Sequence, residues 1–323
     1  MTKPFIKWAG GKQSLIPQLS CCLPHDTNIS TYIEPFLGGG AMLLFLLQER
    51  SDIKEVFVND INYMLINTWK VVKTQPFLLL DELRQLSTYY LSLSEDKRSP
   101  FYYKKRNEFN NSKITRETAA NNVFVKEAAL FIFLNKTCFN GLWRVNKHGR
   151  FNVPFGKYNN PKIFDAENII NVSRLIQKVE FFSEDYNCFL KSVFFDLKNH
   201  KETFVYFDPP YRPLTKTAAF TGYTKGGFDD GSQISLAKTF SLMAERPDVY
   251  LMLSNSDPKN TDKDDNFFDD LYSEQCINRV NSRRNISASA IGRKNVFEIV
   301  VTNYTTKPQH IYRGNAEVSR KAS

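Results

Sequence analysis

The chain has 323 residues, a formal net charge of +9 and 42% hydrophobic residues, which indicates a soluble globular protein with one large α/β domain or one domain carrying an insertion. It contains no apolar run of the roughly 18 residues that a membrane span needs, and its N-terminal segment MTKPFIKWAGGK lacks the features of a signal peptide. We therefore expect a cytoplasmic protein without membrane contact, and the five cysteines and four histidines are too scattered to predict disulfides or a metal site.

The first predicted elements alternate between strands and helices. A strand in TYIE passes through the glycine-rich segment EPFLGGG into the apolar helix AMLLFLLQER. The segment VFVND gives the next strand, and INYMLINTWKVVK gives the next helix. This βαβ pattern is typical of a parallel sheet covered by helices.

The glycine segment is followed by an acidic residue at an informative distance. Gly38, Gly39 and Gly40 open a helix after a strand, where backbone N–H groups are free to approach a ligand, although a tight turn alone also explains such a cluster. Asp60 ends the second strand about 22 residues later, a spacing that suits a carboxylate binding ribose hydroxyls. Because Glu34 would repel phosphate, a cationic nucleoside such as S-adenosyl-L-methionine is favoured over NAD.

Residues 75–165 interrupt the alternation and are predicted to form an inserted, mostly helical domain around the apolar run KEAALFIFLNKT. Thirteen Lys or Arg residues face three Glu between Lys97 and Asn160, so the rest of the chain is near neutral. A solvated basic surface is the simpler explanation. The interleaved aromatic residues in FYYKKRNEF and LWRVNKHGRFNVPFGKY instead favour binding of a polyanion such as nucleic acid.

The α/β pattern resumes after the insertion, with predicted strands in VEFFSEDY, FVYFDPPY, VYLMLSNS and VFEIVVTNY. In the second of these, the apolar run 204–207 reads as a buried strand, so Asp208 lies at its carboxyl end, where α/β sheets bind ligands. Pro209 and Pro210 stiffen the turn that follows. We assign 1–74 and 166–307 to one catalytic domain and 308–323 to a polar tail.

Six segments in this order resemble the Dam/DpnII-type DNA adenine-N6 methyltransferases, the alpha group of the D12 class: PFIKWAGGK, EPFLGGGA, VFVND, FNGLWRVN, FNVPFGKY and FVYFDPPY. The resemblance covers most of the chain, from Pro4 to about Tyr304, and places the inserted segment as the target-recognition domain. It implies a Rossmann-like sheet that binds S-adenosyl-L-methionine and a site-specific enzyme that methylates adenine N6 in double-stranded DNA at GATC. It also implies links to DNA replication or repair, or to a restriction endonuclease acting on the same site.

The resemblance assigns roles to residues of each motif. The DPPY segment supplies the catalytic positions Asp208, Pro209, Pro210 and Tyr211. The implied cofactor contacts are Trp8, Lys12, Glu34, Phe36, Gly38, Gly40, Asp60, Asp185 and Asp208. The implied DNA contacts are Lys7, Leu142, Arg144, Pro154 and Tyr158. By spacing alone, Trp8 would be a core residue and Lys12 a surface charge.

The DPPY segment suits the chemistry of an exocyclic amine. Asp208 and the carbonyl of Pro209 can each accept one N–H of adenine N6, which directs the lone pair at a methyl group, while Tyr211 offers a ring face to a flipped base. LWRVNKHGRFNVP reads as a β-hairpin whose Arg144 can bind guanine, and RPLTKTAAFTGYTKGGFDDGS reads as a long loop that orders around the extruded base. Two alternatives stay open: methylation of another amine, such as cytosine N4 or a protein glutamine, and a non-catalytic nucleic-acid-binding module.

Overall fold

The computed structural model describes residues 2–25, 27–195, 202–212, 228–282 and 296–306. Its strands are Thr31–Glu34 (β1), Glu55–Asn59 (β2), Val179–Phe182 (β3), Thr203–Phe207 (β4), Val249–Ser256 (β5), Cys276–Ser282 (β6) and Val296–Thr302 (β7). They form one sheet in the order β3-β2-β1-β4-β5-β7-β6. The first five strands of this order pair in parallel, and β7 lies antiparallel between β5 and β6. The predicted α/β fold class is confirmed.

The strand order reverses between β1 and β4. From β1 the chain proceeds outward through β2 to β3, and it then returns to β4 on the other side of β1 and continues to β5. Open parallel sheets bind ligands beyond the carboxyl ends of the strands at such a reversal. The two segments that leave this point are the glycine segment after β1 and the turn that starts at Asp208 after β4.

Helices cover both faces of the sheet. The described α-helices are Ile16–Ser20 (α1), Ala41–Glu49 (α2), Tyr63–Thr74 (α3), Pro76–Ser92 (α4), Glu95–Asn110 (α5), Arg116–Asn121 (α6), Val125–Thr137 (α7), Ala166–Leu175 (α8), Tyr186–Leu190 (α9), Asp230–Ala244 (α10) and Phe267–Leu271 (α11). Within the part of the chain that the structure describes, no helix combines the length and hydrophobicity needed to cross a membrane.

Alternate residues of the central strands face two separate hydrophobic clusters. Tyr32 of β1 and Phe204 of β4 belong to the cluster on the side of α2, α3 and α7. Their neighbours Ile33 and Val205 belong to the cluster on the side of α9, α10 and α11. All five residues of β4 are buried, as its uninterrupted apolar sequence predicts for a strand that is covered on both faces.

Helices α4 and α5 of the segment 75–165 pack against α7, which also contacts α3. Every residue from Ala128 to Asn135 is buried, because α7 is surrounded on all sides, and this explains why its sequence is apolar all round. The segment shares its hydrophobic cluster with the sheet face that carries α2 and α3. The helical part of this basic segment is therefore packed against the sheet.

Three parts of the fold differ from the predictions or lie beyond them. The polar strand β6 has no apolar alternation, and its pairing with β7 at the end of the sheet was not predicted. Helix α10 begins at Asp230, inside the segment predicted to be a loop, where Asp229 caps it by accepting from Ser232 N. The rest of that predicted loop, residues 213–227, and the tail 308–323 lie outside the described residues.

Candidate active site

A cavity of about 920 Å³ opens beyond the carboxyl ends of β1 and β4. This volume is in the range of ligand-binding pockets. Every predicted cofactor and catalytic position lines it, and these positions come from five separate segments of the chain: Trp8, Lys12, Glu34, Phe36, Gly38, Gly40, Asp60, Asp185, Asp208, Pro209, Pro210 and Tyr211. Of the predicted DNA contacts, Lys7 lines the same cavity, whereas Leu142, Arg144, Pro154 and Tyr158 do not.

The carboxylate of Asp208 binds the ammonium group of Lys12. Lys12 Nζ lies 2.5 Å from Asp208 Oδ1 and 2.9 Å from the carbonyl oxygen of Gly10. Lys12 is only 3% exposed, so its interpretation as a surface charge is wrong. Burial raises the pKa of Asp208 to about 6, while the nearby Lys12 acts in the opposite direction. At neutral pH this carboxylate is therefore ionised, with its charge balanced by a buried cation.

Two buried amides hold the turn that follows Asp208. Gln233 of α10 donates from Nε2 to the carbonyl oxygen of Pro210 at 3.1 Å. The Oε1 atom of Gln233 accepts in turn from Asn255 Nδ2 of β5 at 3.3 Å. Both amides are fully buried. The turn is therefore fixed by α10 and β5 as well as by the restricted φ angles of its two prolines.

Tyr211 is held at two points. Its hydroxyl donates a hydrogen bond to Glu298 Oε2 of β7. Lys12 Nζ lies 4.5 Å from the centroid of its ring, a distance typical of a cation–π contact. The pKa of Tyr211 is raised well above its usual value, mainly by burial, so the side chain stays a neutral phenol that can donate.

Asp60 fixes the glycine segment to the start of α3. Its Oδ2 atom accepts from Gly38 N at 2.9 Å, and its Oδ1 atom accepts from Asn62 N at 2.9 Å. Burial raises the pKa of Asp60 to about 6, against the effect of these two hydrogen bonds. Each carboxylate oxygen keeps acceptor capacity for a ligand. The side chain thus shapes the cavity wall as well as lining it.

The glycines of EPFLGGG make room for two indole rings. Gly38 and Gly40 have φ of +48° and +67°. A Cβ atom would lie 2.7 Å from Trp8 Nε1 at Gly38 and 2.6 Å from the Trp69 ring at Gly40. At these two positions side chains of the protein approach the glycine Cα atoms closely, and both glycines also line the cavity.

Gly40→Ala should destabilise the protein more than Gly149→Ala does. Both glycines have positive φ, which costs an alanine about 1–2 kcal/mol, but Gly149 has open space around it whereas Gly40 meets Trp69. Overpacking at Gly40 should add roughly 1–3 kcal/mol. Urea unfolding of both variants measures the difference. Equal losses in the free energy of unfolding would show that the Trp69 ring moves aside without a cost in stability.

Glu34 does not support the electrostatic reason given for preferring a cationic nucleoside. The side chain is 2% exposed and accepts a hydrogen bond from Tyr32 at 2.9 Å. Burial raises its pKa well above the ordinary value, with the nearby Asp208 and Asp60 also raising it. A carboxyl group whose ionisation is disfavoured repels phosphate weakly, so this prediction of charge repulsion at the glycine segment is wrong.

Three aromatic rings line the side of the cavity next to β3. Phe36, Tyr186 and Phe228 lie with ring centroids 5.2 to 6.1 Å apart. Asp185 is exposed beside them and caps α9 by accepting from Asn187 N at 2.9 Å. This wall combines flat apolar surface with a carboxylate at its edge, an arrangement that can receive a planar base and its polar substituents.

The predicted hairpin is present as a short hairpin in residues 144–152. Val145 and Phe151 make an antiparallel bridge, flanked by hydrogen bonds from Asn146 N to Arg150 O at 2.9 Å and from Asn152 N to Arg144 O at 3.1 Å. Arg144 is exposed, and its Nε donates to Asn152 Oδ1 at 2.8 Å.

Lys7 joins the hairpin region to the cavity. Its backbone N–H and carbonyl both bond to the side-chain amide of Asn135, each at 2.8 Å. Its ammonium nitrogen lies 4.7 Å from the ring centroid of Tyr158. Gly141 packs against its aliphatic stem, where a Cβ atom would approach within 2.4 Å. Two predicted DNA contacts, Lys7 and Tyr158, are thus in direct contact.

Three residues at the site were not assigned a role from the sequence. Trp143 lines the cavity and stacks with both Trp8 and Phe131, with centroid distances of 6.4 and 4.4 Å. Asn140 also lines it and has a positive φ of 54°. Glu298 reaches Tyr211 from a strand 87 positions later. The NGLW segment was a visible signal for the first two, whereas Glu298 lies in an ordinary strand sequence.

The comparisons with known proteins agree on one family. Residues 8–286 match the family model described as D12 class N6 adenine-specific DNA methyltransferase. The chain is 46% identical over 306 residues to Type II methyltransferase M.MjaIII of Methanocaldococcus jannaschii, covering 94% of this chain and 99% of the relative. It is 33% identical to Type II methyltransferase M1.LlaDCHI of Lactococcus lactis (94% and 95%). It is 31% identical to the DNA adenine methylase of Vibrio cholerae (92% and 95%).

Proposed function

The chain belongs to the D12 class of N6 adenine-specific DNA methyltransferases, and on that premise we propose that it methylates adenine N6 in GATC sites of double-stranded DNA with S-adenosyl-L-methionine as donor, after flipping the base. The observation that carries the proposal is the common cavity of Asp208 and the glycine segment. Acceptor groups for an amine and a recess for a nucleoside lie on one edge of the sheet, at the reversal of strand order.

The turn from Asp208 to Tyr211 is suited to an adenine amine. The lone pair of N6 is delocalised into the purine ring, so the free amine is a poor nucleophile. In the proposal, Asp208 accepts one N–H and the carbonyl of Pro209 accepts the other, which localises the lone pair and aims it. The anchoring of Pro210 by Gln233 supports this role, because orientation and preorganised acceptors supply most of the rate in such a transfer.

The residues of the cavity fit S-adenosyl-L-methionine. Asp60 keeps acceptor capacity for ribose hydroxyls, and the rings of Phe36 and Tyr186 with Asp185 suit an adenine base. Trp8, Lys12, Glu34, Gly38 and Gly40 complete the proposed contact set. When bound, the cofactor supplies a methyl group on a sulfonium centre. The carboxylate of Asp60, which accepts from two backbone N–H groups, favours a ligand with positive charge.

We assign target recognition to the segment 75–165, with contacts from Lys7, Leu142, Arg144, Pro154 and Tyr158. The surplus of ten positive charges between Lys97 and Asn160 suits the phosphate backbone of DNA. Arg144 is exposed, and no described residue binds its terminal nitrogens, which suits bidentate binding of guanine. The GATC target itself rests on the resemblance of these residues to the family's recognition positions.

Two of the relatives are named Type II methyltransferases, and this favours a role in restriction and modification. A restriction endonuclease acting on the same site is then the expected partner. The name DNA adenine methylase, carried by another relative, corresponds to the alternative of a role in replication or repair.

Transfer of labelled methyl groups tests the proposal. The protein is incubated with methyl-labelled S-adenosyl-L-methionine and a duplex with one GATC site, and the control duplex carries N6-methyladenine in both strands of that site. We expect label on adenine N6 of the first duplex alone. Label on cytosine would indicate a different amine substrate. DNA binding without label on any base would indicate that the protein is a non-catalytic DNA-binding module.

The rate of transfer should depend on the ionisation of Asp208. Its pKa of about 6 means that lowering the pH below 6 protonates the carboxylate and removes an acceptor for the amine. We expect kcat/KM for DNA to fall about tenfold for each pH unit below 6. The cofactor must be saturating in this measurement. Asp60 also has a pKa of about 6, so its protonation at low pH would otherwise lower the rate by weakening cofactor binding. A flat profile down to pH 5 would contradict the role of Asp208.

A further inference from the structure

Glu298 is a buried carboxylate that the proposed chemistry does not use. It lies in β7, paired with Ser256 of β5 on one side and Val280 of β6 on the other. The residue is only 6% exposed. Among the residues that the structure describes, no lysine or arginine forms an ion pair with it. Burying a carboxylate costs free energy of folding unless a specific interaction compensates for its desolvation.

The hydrogen bond to Glu298 comes from Tyr211, the last residue of the catalytic turn. The phenol hydroxyl donates to Oε2, a charge-assisted bond of the stronger kind. The side chain of Glu298 therefore reaches the turn across β5, from a strand that runs in the opposite direction to the catalytic strand β4. A neutral apolar residue at this position would suit a buried strand better if stability alone mattered.

We propose that Glu298 is a positioning residue, which fixes the ring of Tyr211 so that the ring stacks on the flipped adenine. The inference rests on the proposed function and extends it. Tyr211 has little rotational freedom about its ring, because Lys12 Nζ lies over one face at 4.5 Å and Glu298 holds the hydroxyl. In the proposal, the ring face opposite Lys12 is the one presented to the base, and it is held in a fixed orientation.

Stacking on Tyr211 stabilises the flipped base, so losing the fixed ring lowers the fraction of adenine that is flipped. Flipping is easier when the target base pair is already broken. A defect in stacking is therefore relieved by a duplex in which the target adenine faces an abasic site. A general loss of structure would not be relieved in this way, and the comparison of the two duplexes separates these explanations.

The experiment measures kcat/KM for methyl transfer by Glu298→Ala, Tyr211→Phe and the double variant, on the matched duplex and on the abasic duplex. We expect each single change to lower kcat/KM about 10–100-fold on the matched duplex, the loss expected for a charge-assisted hydrogen bond. The double variant should lose no more than either single one. On the abasic duplex each loss should shrink to less than about threefold, because the cost of breaking the base pair is absent.

Conservative replacement and binding measurements complete the test. Glu298→Gln keeps an acceptor oxygen, so its kcat/KM should stay within about threefold of wild type. Affinity for S-adenosyl-L-methionine by calorimetry and the melting temperature should match wild type in Glu298→Ala. Losses that multiply in the double variant, that are equal on both duplexes, or that are as large with glutamine would overturn the inference. A wild-type protein that methylates neither duplex would instead refute the proposed function.

Discussion

Replacing Asp208 with alanine should reduce methyl transfer at least about a thousandfold, while DNA affinity stays within about threefold of wild type. The change removes the carboxylate that is proposed to accept an adenine N–H and to orient the lone pair, and it leaves the recognition segment intact. Single-turnover transfer to a GATC duplex measures the first effect, and fluorescence anisotropy with the same duplex measures the second. Asp81→Ala, which removes an exposed carboxylate paired with Arg84, is the matched control and should transfer normally.

Folding must be separated from chemistry in this variant. Asp208→Ala leaves Lys12 buried without its carboxylate partner, and such a loss typically costs about 3–5 kcal/mol. The double variant Lys12→Met/Asp208→Ala removes both charges and should recover most of that stability without recovering transfer. Substantial transfer by either variant would refute the role of Asp208. A double variant as unstable as the single one would show that the buried pair is not the cause of instability.

Arg144→Ala should relax the choice of sequence at one position of the target. A bidentate arginine–guanine contact discriminates by about 1–3 kcal/mol, which corresponds to roughly 10–100-fold between GATC and the duplex with that guanine replaced. The hydrogen bond from Arg144 Nε to Asn152 holds the guanidinium group in place before DNA arrives. The measurement is the rate of transfer to GATC and to each duplex that differs from it by one base pair.

Arg150 offers a matched control within the same hairpin. It is exposed and donates to Asn111 Oδ1 at 2.8 Å, so its removal takes away the same charge without a predicted base contact. Arg150→Ala should weaken binding to all the duplexes alike, by less than about tenfold. Discrimination that is unchanged in Arg144→Ala, or relaxed equally in Arg150→Ala, would exclude the specific contact of Arg144 with guanine.

The convergence of Asp60, Asp208 and the glycine segment in one cavity could be predicted from the sequence because of simple geometry, whereas Trp8, Lys12 and Asp185 were assigned through the family resemblance. Parallel strands end at the same edge of a sheet, so residues that follow β1, β2 and β4 must lie close together. The apolar run 204–207 and the glycine segment mark two of those ends. The loop-like appearance of FDDGS was misleading, since Asp229 is the cap of α10 and glycine at 231 lies in its first turn.

Contacts between distant segments could not be predicted. Nothing local in VFEIVVTNY indicates that β7 inserts between β5 and β6, and this insertion alone brings Glu298 to Tyr211. Gln233 and Trp143 are similar cases, because their roles depend on how helices and hairpin pack against the turn and against Trp8. Gly38 and Gly40 look like a ligand-binding loop in sequence, and only the packing shows that they also make room for indole rings.

The central claim is that Asp208 and the carbonyl of Pro209 hold N6 of a flipped adenine opposite the methyl donor. The most direct measurement is a crystal structure of the protein with a GATC duplex and an unreactive analogue of S-adenosyl-L-methionine. We predict adenine in the cavity, with N6 about 2.6–3.2 Å from an Asp208 oxygen and from the Pro209 carbonyl oxygen. A complex in which adenine stays stacked in the duplex, or in which N6 contacts neither atom, would contradict the mechanism.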